Sequence, residues 1–383
     1  MSKIYTSLGT MSGTSLDGID FSIIKTDGED SISLGGNYYL EFSKNHKEKI
    51  KNIKSKIKST NDCKKIIKSM EYRELSNEIT MIHLEGIKKF ILYKNRLPEI
   101  IGFHGITLWH KPADKYTHQI GDAKLLKKYL SNYFNVKNTE IIFNFRENDI
   151  INGGQGAPLT PLYHQAILKH LKIIDPRLIV NIGGITNATY TNRGEIFSTD
   201  IGPGNCLINE WMKNNFDKDF DEEGKISLNG KVNQNIADVF LYNLEKLQKN
   251  NNISFDTSDF NLSEFNSLDS KDGAATLSFV TAKAILNFAN SLELKRIILC
   301  GGGRHNQAIL NFLKKDKFII SSIDDLNLFG HKIDGEELLV PGQGDFIESQ
   351  AFAYLAVRSK LKKNISLPTT TGVKYPSTGG DII

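Results

Sequence analysis

A run of glycines, hydroxyls and acids, Gly9-Thr10-Met11-Ser12-Gly13-Thr14-Ser15-Leu16-Asp17-Gly18-Ile19-Asp20, lies near the start of the chain between two apolar stretches. Glycines let a backbone turn tightly and approach an anion, the hydroxyls donate hydrogen bonds, and Asp17 or Asp20 can hold a divalent ion through water. These types suit the cradling of a phosphate. A surface hairpin uses the same residues for its turn, so the run alone does not separate the two. The signatures GxxxxGK[ST] and GxGxxG are absent, and a phosphate site here is of another kind.

Three later runs extend the pattern. Asn181-Ile182-Gly183-Gly184-Ile185-Thr186-Asn187 can turn two backbone N–H groups onto a phosphate, or can be a simple turn. Thr199-Asp200-Ile201-Gly202-Pro203-Gly204-Asn205 follows an apolar strand and opens a helix. Asp200 is thus expected at the C-terminal end of a strand, where α/β folds display catalytic groups. Helix capping by Asn205 explains the end of that run but not the aspartate before it. Gly301-Gly302-Gly303-Arg304-His305-Asn306 offers a side-chain-free surface suited to adenine or ribose. Between 102 and 159 lie further polar and glycine loops, in which Arg146 can grip a carboxylate and Trp109 can stack on a sugar face. His104, His110 and His118 fit no ordinary metal spacing and are read as hydrogen-bonding groups.

The elements that must position these residues repeat. Alternating apolar residues predict strands over 4–8, 21–25 and 32–42, and helical spacing predicts two helices within 47–96. A strand over 99–103, a helix over 123–133, a strand over 140–145 and a helix over 162–171 follow. The second half begins again with strands over 178–182, 188–191 and 196–198, then helices over 205–214, 231–249 and 274–291 and a strand over 296–300. Each half is therefore a three-strand meander followed by alternating helices and strands. The reading is α/β, two domains with a ligand cleft between them, divided as 1–168 with the tail 366–383 and as 169–365. The tail is an ordered extended segment or a mobile end.

With 48 basic and 44 acidic residues mixed along the chain, the net charge of +4 marks no polyanion binder. The lysine-rich stretch 44–68 has helical spacing without interleaved aromatics, which favours a solvated face over a nucleic-acid patch. Cys63, Cys206 and Cys300 form no CxxC pair and support neither a disulfide framework nor a zinc site. No leader-like start and no apolar run of bilayer length is seen, so a cytoplasmic protein without membrane or nucleic-acid partners is expected.

The motifs GTMSGTSLDGID, GFHGITLWHKP, QIGD, NFR with a following Asp, GGQGAPLTPLYH, NIGGITN, DIGPGN, GGGRHN and LPTTTGVKYPSTGG occur in this order. Together they resemble the anhydro-N-acetylmuramic acid kinases of bacterial cell-wall recycling, over residues 9 to about 380. That resemblance implies two ribonuclease-H-like domains of the actin, sugar kinase and heat-shock ATPase superfamily around an interdomain ATP cleft. It implies ATP, Mg²⁺ and water as reactants or cofactors, a sugar substrate, a role in amino sugar catabolism and a homodimer. ATP is expected at Gly13, Thr14, Ser15, Leu16, Asp17, Gly18, Ile19, Asp20, Gly183, Gly184, Gly202, Gly301, Gly302, Gly303 and Asn306. Mg²⁺ is expected on Asp17 and Asp20 through water, and the sugar along Thr107, Trp109, Arg146 and Glu348. Asp200 matches the family's general base. The chain departs from the family at 254–260, where the usual Lys, Gly and Arg are missing, and at His118, where an apolar residue is more usual. The competing readings are another sugar kinase of the superfamily, in which Asp200 deprotonates a sugar hydroxyl directly, and a non-enzymatic nucleotide-dependent clamp, against which the loops of 102–159 argue.

Overall fold

A computed structural model describes residues 2–13, 16–94, 97–134, 138–250, 254–326 and 343–383. Strands β1 (Tyr5–Ser12), β2 (Gly18–Thr26) and β3 (Ile32–Glu41) lead into helices α1 (Lys44–Lys56), α2 (Thr60–Ile66) and α3 (Met70–Lys94). Then come β4 (Ile100–Lys111), β5 (Tyr116–Ile120), α4 (Ala123–Phe134), β6 (Glu140–Phe143), α5 (Glu147–Ile151) and α6 (Pro161–His170). The next stretch holds β7 (Arg177–Ile182), β8 (Ile185–Asn192), β9 (Glu195–Pro203), α7 (Cys206–Phe216), α8 (Gln234–Asn250), α9 (Ser270–Ser291), β10 (Arg296–Cys300), α10 (Gln307–Lys314) and β11 (Ile319–Ser322). The chain ends with α11 (Ile347–Lys360), α12 (Pro368–Thr371) and β12 (Asp381–Ile382).

Among the described residues the strands form two sheets, ordered β12-β6-β4-β1-β2-β3, with β5 also on β4, and β11-β10-β7-β8-β9. In each sheet the first three strands are an antiparallel meander, and two later strands add parallel to the first of them. This is the ribonuclease-H-like order, formed twice. The repeat expected from the glycine turns is thus a repeat of topology.

The chain divides into Met1–Ile173 with Asn327–Ile383, and Ile174–Leu326. The expected division, 1–168 with 366–383 against 169–365, misplaced α11. That helix packs on β1, β2 and β4 of the first sheet. Gly9 and Gly102 are register partners in adjacent strands, and a Cβ on either would collide with the backbone of α11, at Ser349 and Ala353 or at Phe352. Polar pairs fix the contact. Ser7 Oγ donates to the Ala353 carbonyl at 2.8 Å, Ser22 and Ser349 hydroxyls meet at 2.7 Å, and Tyr163 donates to Gln350 Oε1 at 3.0 Å. Gly9 is therefore a packing glycine inside β1, and the turn begins only at Gly13.

The opposite face of the first sheet buries Leu8, Ile19, Phe21, Ile101 and Phe103 against Ile50, Ile53, Ile79, Ile87, Phe90 and Leu126 of the helices. Where two helices were expected within 47–96 there are three, because Ser59 caps a new helix by accepting from the Asp62 N–H. Helix α1 buries only Ile50 and Ile53 and leaves Lys44, Lys51 and Lys56 exposed. In the second unit, Leu178, Val180 and Ile182 of β7 pack with Trp211, Phe265, Leu277, Ile285 and Ile297. The tail is ordered: β12 pairs with β6, and Thr371 donates to the buried Asp149 at 2.6 Å. Among the described residues no helix is long and apolar enough to cross a membrane.

Candidate active site

In the second unit Asp200 sits near the end of β9, opposite Asn187 of β8, where the strand register slips between Thr186 and Asn187. Such a bulge re-aims side chains at a sheet's end. Asp200 Oδ2 accepts from the Phe255 N–H at 2.7 Å, and the Ser254 hydroxyl also donates to this carboxylate. Burial nevertheless dominates, and pushes the carboxyl from 3.8 up to about 7. A carboxylate poised near neutrality can exchange a proton with water at working pH. The divergent segment 254–260 thus supplies a backbone donor and a hydroxyl to Asp200, and its Asp256 and Asp259 close a capping box that stiffens it.

The glycine turns of this unit sort into two kinds. Gly184 has room beside it, a Cβ there coming no nearer than 3.8 Å to Thr257 Cγ2, whereas a Cβ on Gly183 would sit tightly at 3.3 Å from Ile185 O. Gly302 has nothing within 4 Å of such a Cβ. Gly184 and Gly302 leave an open face for a ligand. Gly202, Gly301 and Gly303, also expected beside ATP, have structural duties of their own. A Cβ on Gly202 would press on Leu244, Gly301 needs φ +77° beside Asn181, and Gly303 lies against Ile182. Asn306 is likewise a helix cap, its Oδ1 accepting from the Ala308 and Ile309 N–H groups at 3.0 and 3.2 Å. Arg304 holds the turn from below, donating from Nη1 to Gly301 O at 3.0 Å and from Nε to Asp324 at 2.6 Å.

In the first unit the turn from Gly13 to Asp17 joins β1 to β2, and Thr14 and Ser15 lie outside the described residues. Leu16, at φ +60°, and Ile19 point into the core, and Gly18 lies under Tyr39 and Leu40, so these three have only backbone to offer a ligand. Ser12 Oγ, at the end of β1, is buried without a hydrogen-bond partner among the described residues. Asp17 is exposed, with Lys47 Nζ 3.9 Å away. Asp20 is pushed up to about 8, by burial first and then by repulsion from Glu348, Asp345 and Asp17. Among the described residues no three His, Cys, Asp or Glu side chains converge as metal ligands.

Glu348, on the first turn of α11, faces Arg146: burial raises its carboxyl and the guanidinium lowers it. Arg146 donates from Nε to His104 Nε2 at 2.9 Å and from Nη1 to Gly156 O at 2.7 Å. Because His104 is buried beside this cation, its pKa falls well below 6.5, so the ring is neutral with its proton on Nδ1, donated to Gly105 O at 3.0 Å. The Gly156 carbonyl is itself placed by Asp149, which accepts from the Gly156 N–H at 2.6 Å. Arg146, Glu348, Asp20 and His104 thus form one electrostatic group. Trp109 and Thr107 lie further along β4. The indole N–H of Trp109 is engaged with Thr60 Oγ1 at 3.0 Å, and half of the ring is packed, so only part of its face is open for stacking. Thr107 is half-buried, paired in register with Gln119. His118 meets the Tyr72 hydroxyl at 2.6 Å, which accounts for a histidine where an apolar residue was expected. His110 bonds to Thr117 and Gln155 at 3.0 and 2.9 Å, a hydrogen-bonding role as read from its spacing.

The loop-fastening role of Asp149, the Ser254–Phe255 donors and the Arg304–Asp324 pair escaped the sequence reading. Each acts across a long loop, and the only local signal was an Asp or Arg beside a glycine turn.

Two ribonuclease-H-like units, each carrying a glycine turn at its first hairpin, make a two-domain fold of the sugar kinase kind. The sequence profile of the anhydro-N-acetylmuramic acid kinases matches residues 5–383. An anhydro-N-acetylmuramic acid kinase of Pelagibacter ubique (strain HTCC1062) is 41% identical over 395 residues, covering 100% of this chain and 99% of that protein. One of Agrobacterium fabrum (strain C58 / ATCC 33970) is 34% identical over 399 residues, covering 100% of each. The chain belongs to the anhydro-N-acetylmuramic acid kinase family. Among solved structures, component A of the (R)-2-hydroxyglutaryl-CoA dehydratase of Acidaminococcus fermentans is 10% identical, with a TM-score of 0.43 over 94% of this chain and 100% of that one.

Proposed function

We propose that the chain uses ATP and water to open 1,6-anhydro-N-acetylmuramic acid and phosphorylate its O6, giving N-acetylmuramic acid 6-phosphate and ADP. This places it in peptidoglycan recycling and amino sugar catabolism. The observation that carries the reading is Asp200, a strand-end carboxyl brought to about 7 by burial and held at Oδ2 by the Phe255 N–H. Asp200 takes a proton from the water that attacks C1. The C1–O6 bond then breaks with its electron pair on O6, and O6 attacks the γ-phosphorus while ADP leaves.

The remaining residues divide the binding. The open faces of Gly184 and Gly302 and the backbone of Gly183 receive the nucleotide, and the turn from Gly13 to Asp20 receives its phosphates. Arg146, braced on His104 and the Gly156 carbonyl, takes the substrate carboxylate or a catalytic oxygen, with Thr107, Trp109 and Glu348 along the sugar. Burial and neighbouring acids raise Asp20, and a cation there would offset that repulsion, so Asp17 and Asp20 are the residues that would hold Mg²⁺ through water. When bound, the ion would supply charge neutralisation at the phosphates. The reading includes a cytoplasmic homodimer with no nucleic-acid or membrane partner.

Turnover of the anhydro sugar with ATP in ¹⁸O-labelled water tests this. The expected product carries one labelled oxygen, at C1. Unlabelled phosphorylated product would instead mean direct phosphorylation of a hydroxyl, and ADP release independent of sugar would remove the kinase reading.

A further inference from the structure

Asn187 lies on β8 as the Cα partner of Asp200 on β9. Cross-strand partners project from the same face with Cβ atoms roughly 5 Å apart. Asn187 Oδ1 is buried and has no hydrogen-bond partner among the described residues. A buried amide oxygen left unpaired costs stability, and such atoms in native proteins call for a reason. Asp200 accepts from the Phe255 N–H at Oδ2 and from the Ser254 hydroxyl, two donors for a carboxylate with about four lone-pair sites. Two acceptors on facing positions of adjacent strands are placed so that one water can donate a hydrogen to each.

We propose that Asn187 Oδ1 is the second acceptor for the attacking water and so positions it between Asp200 and the anomeric carbon. The inference rests on Asp200 as the base. The water gives one proton to the Asp200 carboxylate and keeps the other, which Asn187 Oδ1 holds, so that the oxygen lone pair is presented to C1. The oxygen then bonds to C1, the C1–O6 pair departs onto O6, and the retained hydrogen becomes that of the new anomeric hydroxyl. With Asp200 alone, the water would be free to rotate about a single hydrogen bond. Two acceptors fix its orientation, the kind of restraint whose loss lowers turnover without touching substrate affinity.

The test compares Asn187→Ala, which removes the acceptor, with Asn187→Asp, which keeps an oxygen in the same shape, at pH 8.5 with ATP and the anhydro sugar. The expected result for Asn187→Ala is a kcat roughly 100-fold lower, a KM for ATP within about twofold of wild type, and a larger solvent deuterium isotope effect on kcat as water attack becomes limiting. Asn187→Asp is expected to retain kcat within about tenfold, and carries the test by itself should the alanine variant fail to fold. Wild-type kcat in Asn187→Ala, or an inactive Asn187→Asp of normal melting temperature, overturns the proposal. Asp200→Asn separates the two levels. If that variant turns over, the base assignment fails and this proposal with it; if it is inactive while Asn187→Ala is fully active, only the role of Asn187 fails.

Discussion

Replacing Asp200 by Asn keeps the shape and removes the charge, and its consequences for stability follow from burial. Raising a carboxyl from 3.8 to about 7 corresponds to roughly 4 kcal/mol at about 1.36 kcal/mol per pH unit. The sign is fixed by which state holds the proton. Between 3.8 and about 7 the folded protein keeps Asp200 protonated while the unfolded chain has released the proton, so the folded state is favoured at low pH. That contribution is complete below 3.8, declines as pH rises, and is gone above about 7. From pH 5 to pH 8.5 the wild-type protein should therefore lose roughly 3 kcal/mol that the Asn variant does not lose. Asp20, also raised, is present in both proteins and cancels in the difference. Denaturant unfolding of both proteins at pH 5 and 8.5 reads this directly, and parallel turnover assays should show kcat at least about 10³-fold lower in the variant. Equal pH dependence of stability in the two proteins would refute the burial argument. Near-normal turnover in the variant would refute the assignment of the base.

Two further perturbations separate packing glycines from ligand glycines and probe what tunes Asp200. Gly9→Ala sets a methyl group against the backbone of α11 and should destabilise by about 3 kcal/mol, whereas Gly302→Ala meets nothing within 4 Å and should leave the melting temperature unchanged; its KM for ATP should rise about tenfold, and an unchanged KM would mean that the nucleotide does not use this face. Ser254→Ala removes a donor that favours the ionised Asp200, so the acidic limb of the pH–kcat profile should move up from about 7 while the plateau near pH 9 holds. A limb that stays in place, or moves down, would show that Ser254 does not act on the base.

These variants also mark where the sequence could be read and where it could not. The repeated meander was legible because alternation and glycine turns are local patterns, and Asp200 was legible because an aspartate between an apolar strand and Gly-Pro-Gly has few structural duties. Gly9 was misread as part of a phosphate loop. Its reason for being glycine is Ser349 of α11, which lies 340 residues later in the chain, and no local pattern reveals that approach. The same distance explains the misplaced domain boundary: α11 follows the second unit in sequence but is bound to the first sheet through Gly9, Gly102, Ser7 and Ser22. The triple glycine was read as a ligand surface throughout, although Gly301 and Gly303 are required by Asn181 and Ile182 and only Gly302 is open.

What separates structural from functional polar groups here is the completeness of their partners. Asp149 takes the Gly156 N–H and the Thr371 hydroxyl, and Asp221 takes the Ile226 and Ser227 N–H groups and the Ser227 hydroxyl; each fastens a loop. Asp200 has two donors yet stays near neutrality, and Asp20 stands among other acids. Ser12 Oγ and Asn187 Oδ1, both buried, have no partner among the described residues, and each lies at a strand end next to one of these two unusual groups or the turn beside it. An unpaired buried polar atom lowers stability at every pH, and a buried carboxyl does so where it is ionised. Other buried polar atoms without a partner among the described residues, His83 Nε2, Glu264 Oε2 and Ser366 Oγ, lie away from the glycine turns, so it is the pairing of Ser12 and Asn187 with Asp20 and Asp200 that marks them: a phosphate oxygen suits the Ser12 hydroxyl, and a water hydrogen the Asn187 amide oxygen.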